Sequence, residues 1–535
     1  MARFLFTTVF KPFSEQNKYN RLNDGMWLDY LAMRLTMEPG PFTPSAYAPP
    51  NSSIHFVAAN IADGHESVVL EYPTKQRFID ELKAGYDYIG ITAIIRELPK
   101  VSWMIAACRK HAPQSKVIIG GMVTSSDGVE QLDPDHICRG EGVKWVRELM
   151  GMPPLKKINH PSLTMDYTLK ILQHYPVLPR VKTGLMTIGY GCPQGCDFCA
   201  TSAFFGRKHI PCLQSGNEIY EVMGQIRRCE PSVDHFLFNE EDFFLYDRIV
   251  DEMKEAVLKN GDMAASFDCF GSVKSMSKYN IEDTVEMGLG ALRLGVEAAD
   301  PPYAKRTGKR AIGDIFEELH EFGVLTVGFF IVGLEHHSPD NVKKEYEFLT
   351  ELAPTANQIS ILNPCPGTKL YDDMKAAGKL RPGIDLRDSH LRGENMIHPS
   401  FGPGELNEAC LGAYDHAYET LGPSVYRAMK VWYRGWRNLK NTTRPLLLRR
   451  AEMMRDRAIG LLPLFLYTDR FLPNDEVRSQ VAHTRDDMLL EFGRPNPAQE
   501  ALGQLLFRIC EVDEARRAVC EEPPMEPDTV VTSYP

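Results

Sequence analysis

Gly189-Tyr190-Gly191-Cys192-Pro193-Gln194-Gly195-Cys196-Asp197-Phe198-Cys199-Ala200 brings three cysteines onto one short stretch. The residues before it, Gly184 to Tyr190, read as a strand. The cysteines therefore sit on a loop at a strand's carboxyl end, where barrel folds place their chemistry. Three thiolates on one loop suit three corners of a cubane cluster, and soft sulfur donors select iron–sulfur clusters or zinc. Gly191 and Gly195 let the loop wrap tightly around a bulky group. Structural zinc usually takes four ligands, with a second pair at a distance. No second Cys-x-x-Cys occurs in the chain. Three ligands without a fourth leave one iron open, which suits a cluster that binds a substrate.

Working outward, strand and helix signals alternate on both sides of the loop. Downstream, strands are predicted at Val233 to Asn239, Ala264 to Cys269, Ala291 to Glu297, Leu325 to Val332 and Ala356 to Ile361, with helical patterns between them. Six βα units in succession predict a (β/α)6 partial barrel; a full barrel or an open sheet gives similar periodicity. Upstream, Arg3 to Phe10, Ile54 to Ile61, Val68 to Tyr72, Tyr88 to Ile94 and Lys116 to Gly121 read as strands. Met26 to Leu35, Lys75 to Ala84 and a segment ending near His111 read as helices. This alternation predicts a parallel sheet with helices on both faces, a Rossmann-like α/β domain. The expected organisation is residues 1–150 for that domain, 151–180 for a linker, 181–395 for the barrel and 396–535 for a mainly helical region. The proline-bearing final dozen residues read as loose.

Composition narrows the function classes. Twelve cysteines in 535 residues are no disulfide scaffold, so they read as thiols, ligands or core residues. A net charge of -11 argues against broad nucleic-acid binding. With no leader-like start and no apolar run of about 18 residues, the expected location is the cytoplasm. Residues 427–457 carry ten Lys or Arg against Glu452 and Asp456, with Trp432, Tyr433 and Trp436 interleaved, and the apolar run Ala458 to Tyr467 follows. Two readings stand: a helix with a solvated basic face ahead of a core segment, or a peripheral membrane contact through 427–467. The second points to a hydrophobic, lipid-like substrate.

The spacing Cys-x3-Cys-x-aromatic-Cys, with Phe198 as the aromatic, resembles the signature of the radical SAM superfamily. Phe238-Asn239-Glu240-Glu241-Asp242-Phe243-Phe244 resembles that family's acidic motif after the second strand. Gly295-Val296-Glu297-Ala298 is similar to the motif whose acid meets the SAM ribose. Gly328 to Glu335 resembles the adenine-contacting motif, and Asn363-Pro364-Cys365-Pro366-Gly367-Thr368 the Pro-Gly-Thr segment, with Cys365 as a departure. Gly90-Ile91-Thr92, then Gly120-Gly121, then Arg139-Gly140-Glu141-Gly142 resemble the cobalamin-binding domain of one large class, although Val143 replaces a second acid there.

The resemblance implies a [4Fe-4S] cluster held by Cys192, Cys196 and Cys199. It implies a SAM site with Phe198, Asn239, Glu241, Glu297 and Gly333, and cobalamin contacts at Thr92, Gly120, Gly121 and Glu141. It also implies reductive cleavage of S-adenosylmethionine to a 5′-deoxyadenosyl radical, an electron donor such as flavodoxin or ferredoxin, and a small-molecule substrate. The leading reading is a cobalamin-dependent methyltransferase acting on an unactivated carbon. A second keeps the radical chemistry for a cyclisation, rearrangement or oxidation. A third is a non-enzymatic cluster-binding or redox scaffold. For residues 1–150 alone, the alternative is a Rossmann-like fold without cofactor. Asp63-Gly64-His65 departs from the cobalt-ligating Asp-x-His-x-x-Gly at Val68 and reads as a turn. Carboxylates at strand ends also cap helices, the bland alternative for Glu241 and Glu297.

Overall fold

The computed structural model describes residues 1–11, 42–44, 50–166, 169–171, 175–176, 182–261, 265–300, 310–389, 391–467, 469–517 and 527–535. The helix expected over Met26 to Leu35 lies outside them.

The N-terminal sheet is built on β1 (Arg3–Thr7), β2 (Glu66–Glu71), β3 (Tyr88–Thr92), β4 (Lys116–Gly120) and β5 (His136–Ile137), all parallel, in the order β2-β1-β3-β4-β5. Continuous apolar strands such as Val117-Ile118-Ile119 are buried on both faces, as a doubly wound sheet requires. Residues Ser52–Ala59 form a helix (α1), against the strand expected over Ile54 to Ile61. All of Ile54 to Ala59 is buried, so the run shows no polar face, and a short apolar run fits either element.

The barrel begins before the expected boundary. Strand β6 (Leu163–Asp166), inside the presumed linker, pairs antiparallel with β7 (Lys182–Thr187). Strands β8 (His235–Asn239), β9 (Ser266–Ser272), β10 (Leu289–Glu297), β11 (Leu325–Val332) and β12 (Ala356–Ile361) then follow in parallel, in the order β12-β11-β10-β9-β8-β7-β6. Leu163 and Met165 pack on Leu185 and Leu237, so β6 covers the first edge of the six-stranded partial barrel.

Alternate residues of each barrel strand serve different cores. Phe236, Phe238, Phe267, Cys269, Leu292, Leu294, Phe330, Ile359 and Ile361 join the outer shell with the helices. The intervening positions, among them Phe270, Arg293, Phe329, Gln358 and Ser360, face the lumen by the two-residue period of a strand.

The region beyond residue 400 is helical, including Glu405–Leu421, Ser424–Leu439, Pro445–Leu461 and Asp475–Phe492. Ala428, Val431 and Trp432 pack on Ala291 and Leu325, near the amino ends of β10 and β11. Arg450 donates to the Ala265 carbonyl (2.7 Å), and Arg444 meets Asp283 and Glu286. Tyr433, Trp436, Leu462, Pro463 and Phe465 are buried. Much of the apolar part of 427–467 therefore builds the barrel's underside, while Leu448 and Tyr467 stay exposed. No helix among the described residues is long and apolar enough to cross a membrane.

The end of the chain corrects the expectation of a loose tail. Val530–Tyr534 forms β13, antiparallel to the edge strand β2. Tyr534 Oη lies 2.8 Å from His55 Nδ1, and His55 Nε2 lies 3.0 Å from Glu71 Oε2. An open sheet edge with unpaired backbone groups is what an alternating Val-Val-Thr segment can satisfy.

Candidate functional site

The cysteine loop is bracketed by its own backbone. Gly189–Tyr190 pairs antiparallel with Ile210–Pro211, so the segment between them leaves and returns at the carboxyl end of β7. Gly191 (φ 77°) and Gly195 (φ 68°) turn the chain there. Cys199 starts the short helix Ala200–Phe204 and its Sγ accepts from Ser202 N at 3.5 Å. Ser202 Oγ donates to the Cys192 carbonyl (2.7 Å), which ties the two ends of the motif together. Gln194 donates to Asp242 (2.5 Å), and Asp242 also accepts from Ser272 and Ser275 hydroxyls, so the loop is fastened to the ends of β8 and β9. Leu370 N donates to the Asp197 carbonyl (3.0 Å), fastening it to the segment after β12.

Cys192, Cys196 and Cys199 are all half-buried. Burial pushes the Cys192 thiol up to about 12, and Asp242 adds to the shift. Burial also raises Cys199, with Glu241 and Glu297 contributing. Three thiols beside carboxylates deprotonate together only against a strong positive charge. This donor set therefore fits a multi-iron cluster, whose ions reverse that preference.

The other expected SAM-site residues converge on the same end of the barrel. Glu297 closes β10, is buried, and holds a left-handed backbone (φ 67°), a conformation that costs a non-glycine residue about 1–3 kcal/mol and clusters at functional sites. Glu241 follows β8. Burial and the neighbouring Glu240 raise its carboxyl to about 7. Phe198 packs on the apolar cluster that includes Ala298, Ile331, Leu334 and Leu362, at the ends of β10, β11 and β12. Asn239 ends β8 and its carbonyl accepts from Ile188 N (3.1 Å). Gly333 follows β11, where its N–H donates to His337 Nδ1 (3.2 Å).

Sequence reasoning missed the pair behind these residues. Glu240 is fully buried and lies 2.9 Å from His209 Nε2, whose ring stacks on Tyr246 (centroids 4.1 Å apart). A Cβ on Gly189 would sit 2.3 Å from His209 Nε2 and 2.8 Å from Glu240 Oε2, so only glycine lets this pair lie against the strand that leads into the cysteine loop. The glycine at 189 was the available signal.

The N-terminal sheet presents its own carboxyl edge to this site. Ser125, just after Gly120-Gly121, approaches Gly367 of the Pro-Gly-Thr segment, where a Cβ would be 2.9 Å away. Asp127 pairs with Lys375 (2.6 Å) and accepts from Tyr371 Oη (3.2 Å). The turn Met122–Ser125 also packs near the helix that follows Cys199. Thr92 ends β3 and Gly120 ends β4, side by side in register. Glu141 is occupied as a helix cap, accepting from Val143 N (2.6 Å) and Lys144 N (2.8 Å). His65 precedes β2 at the opposite, amino end of the sheet, where its Nδ1 accepts from Ala2 N (3.1 Å).

Comparison with known proteins agrees with this layout. Residues 186–349 match the radical SAM superfamily. The chain is 21% identical over 368 residues to an uncharacterised methyltransferase, PH0819, of Pyrococcus horikoshii, covering 60% of this chain and 78% of that one. It is 23% identical over 324 residues to the bacteriochlorophyllide d C-12(1)-methyltransferase of Chlorobaculum tepidum, covering 55% of this chain and 66% of that one. The radical S-adenosylmethionine methyltransferase TsrM from Kitasatospora setae, solved with cobalamin and a [4Fe-4S] cluster, superposes with a TM-score of 0.53 at 13% identity, over 86% of this chain and 99% of that one. Residues 186–349 thus carry a radical SAM domain, and the chain as a whole shares the fold of the TsrM structure.

Proposed function

We propose that this protein is a cobalamin-dependent radical SAM methyltransferase acting on an unactivated carbon of a small, largely apolar molecule. The observation that carries the reading is the meeting of two carboxyl edges. Three thiols crown the barrel, and the glycine-lined edge of the N-terminal sheet faces them across Ser125 and Gly367. Doubly wound sheets bind ligands at that edge.

In this reading Cys192, Cys196 and Cys199 hold the cluster and leave one iron for the amino and carboxylate groups of SAM. Phe198, Asn239, Glu241, Glu297 and Gly333 line the SAM site. Thr92, Gly120 and Gly121 receive cobalamin, and Glu141 shapes the loop beside it. The chemistry supplied there is reductive SAM cleavage by the cluster and methyl delivery by cobalamin. An external electron donor of the flavodoxin or ferredoxin type feeds the cluster.

The lumen supports an apolar substrate. Phe270 and Phe329 face each other with ring centroids 5.8 Å apart, and both are partly accessible. The Arg293 guanidinium lies 5.2 Å from the Phe270 ring and is neutralised by Asp268 Oδ2 at 2.6 Å. An aromatic wall whose charge is cancelled internally favours an uncharged ring system over an anion.

The test is anaerobic turnover of the reconstituted protein with methyl-labelled SAM, a reductant and extracts separated into organic-soluble and aqueous fractions. The expected result is 5′-deoxyadenosine together with label in an organic-soluble product. Formation of 5′-deoxyadenosine with no label transferred would overturn the methyl-transfer assignment in favour of a radical rearrangement or oxidation. No SAM cleavage at all would reduce the protein to a cluster scaffold.

A further inference from the structure

His336, His337 and Glu345 form a tight group outside the cysteine loop, with ligand atoms within 4.8 Å of one another. Such a set resembles a divalent cation site, but the hydrogen bonds argue otherwise. His337 Nδ1 accepts the Gly333 N–H (3.2 Å), so in the neutral ring the proton sits on Nε2 and leaves no lone pair for a metal. Burial lowers His337 to about 4, which keeps the ring neutral. Its Nε2 is buried, has no hydrogen-bond partner among the described residues, and lies 3.7 Å from Glu345 Oε1.

Glu345 stands in the first turn of the helix Lys343–Leu352, and its second oxygen accepts the Ala299 N–H at 2.8 Å. Ala299 follows Glu297 and Ala298 at the end of β10, whereas Gly333 follows β11. One side-chain pair thus reaches the backbones of two neighbouring loops, each bearing a residue of the proposed SAM site. His398 Nε2 holds the same β11 loop from the other side, 3.0 Å from the Leu334 carbonyl.

We infer that His337 and Glu345 are positioning residues, a clamp that fixes the Glu297 and Gly333 loops relative to each other so that SAM meets both at once. This rests on the reading that SAM lies against these two loops. Neither residue touches the reacting atoms. Their effect falls on the ordering a ligand must otherwise bring about when it binds. The unpartnered Nε2 is the open half of the clamp, because a buried donor without an acceptor is costly, and a small approach of the loops brings it onto Glu345.

The experiment compares Glu345→Ala, His337→Phe and His337→Gln in the cluster-loaded protein. Glutamine keeps one acceptor for Gly333 and one donor for Glu345. Titration calorimetry with SAM should show Kd raised about tenfold in Glu345→Ala and His337→Phe, the worth of one charge-assisted hydrogen bond, and within about threefold of the unmodified protein in His337→Gln. The rate of 5′-deoxyadenosine formation at saturating SAM should stay within about twofold, because ordering and not chemistry has changed. In the cluster-free protein, amide exchange should quicken together over 297–300 and 331–337 in Glu345→Ala. Unchanged SAM affinity in both disruptive variants, or equal loss in His337→Gln and His337→Phe, overturns the clamp. An unmodified, cluster-loaded protein that binds no SAM overturns the reading of the site itself, which is seen without any substitution.

Discussion

The two carboxyl edges that meet in this molecule are built from opposite materials. The barrel edge is crowded with reactive side chains: three half-buried thiols, Glu241, and the buried Glu240, Asp242 and Glu297. The edge of the N-terminal sheet offers mainly backbone, with Thr92, Gly120 and Gly121 at its strand ends and Glu141 engaged in a helix cap. The first edge is suited to hold a charged cluster through donor atoms. The second is suited to receive a large flat ligand through shape. A site made of donor atoms is damaged by removing them, whereas a site made of space is damaged by filling it.

The largest expected effect is on the donor side. Replacing Cys192, Cys196 and Cys199 together with Ala should abolish iron loading and the broad visible charge-transfer absorbance, and with them all SAM cleavage. Iron and sulfide analysis per chain checks this, and a triple variant with full iron content removes the cluster assignment. Cobalamin uptake should persist in that variant if the two edges are independent.

The space-filling counterpart is Gly121→Ala. Gly121 has φ 84°, and an added Cβ would lie 2.5 Å from the Ala93 carbonyl oxygen. The strain should cost about 1–3 kcal/mol, read as a lowered Tm of the N-terminal domain. Cobalamin content should fall while iron content is kept. Equal loss of both cofactors would mean that the two edges form one cooperative unit.

A smaller effect separates the acids of the barrel edge. Glu241 is raised from an ordinary 4.5 to about 7, chiefly by burial and then by Glu240. A folded-state value above the unfolded one means that the native protein binds more protons between about 4.5 and 7. Stability of the cluster-free protein therefore falls as pH rises through that window. Glu241→Gln removes the penalty and should be more stable by about 1–2 kcal/mol at pH 8, with no gain at pH 4. Denaturant titrations at the two pH values decide it. A gain of the same size at both would mean that packing, not charge, is responsible.

The contrast also explains what could be read from the chain. Regular local patterns were legible: the strands Leu325–Val332 and Ala356–Ile361 fall where expected to the residue, and the cysteine segment follows a strand as its spacing predicts. Features made by distant partners were not. Glu240 meets His209 across the loop, β13 finds the β2 edge from the far end of the chain, and β6 belongs to the barrel although prolines and lysines surround it. The helix Ser52–Ala59 was misread because burial all round erases the amphipathic period.

Cys365 tests the contrast at its seam, since it stands on the loop after β12 between the two edges. Burial pushes its thiol up to about 11, and the neighbouring Cys199 adds to the shift. Reactive thiols owe their reactivity to a lowered value and an electropositive surrounding, and neither holds here. What the segment does supply is backbone. The Cys365 carbonyl accepts from Thr368 Oγ1 at 2.7 Å and from Thr368 N at 3.1 Å, bonds that do not depend on the side chain. The thiol therefore fills space beside the cluster loop, as free cysteine commonly does. Cys365→Ser should keep turnover within a few-fold and lower stability by about 1 kcal/mol, since a half-buried hydroxyl asks for a partner that a thiol does not. Paired assays of 5′-deoxyadenosine and product decide the matter. Balanced amounts of the two leave Cys365 as packing. SAM cleavage that continues without product would make it a hydrogen-atom donor, and would add a reactive side chain to the seam.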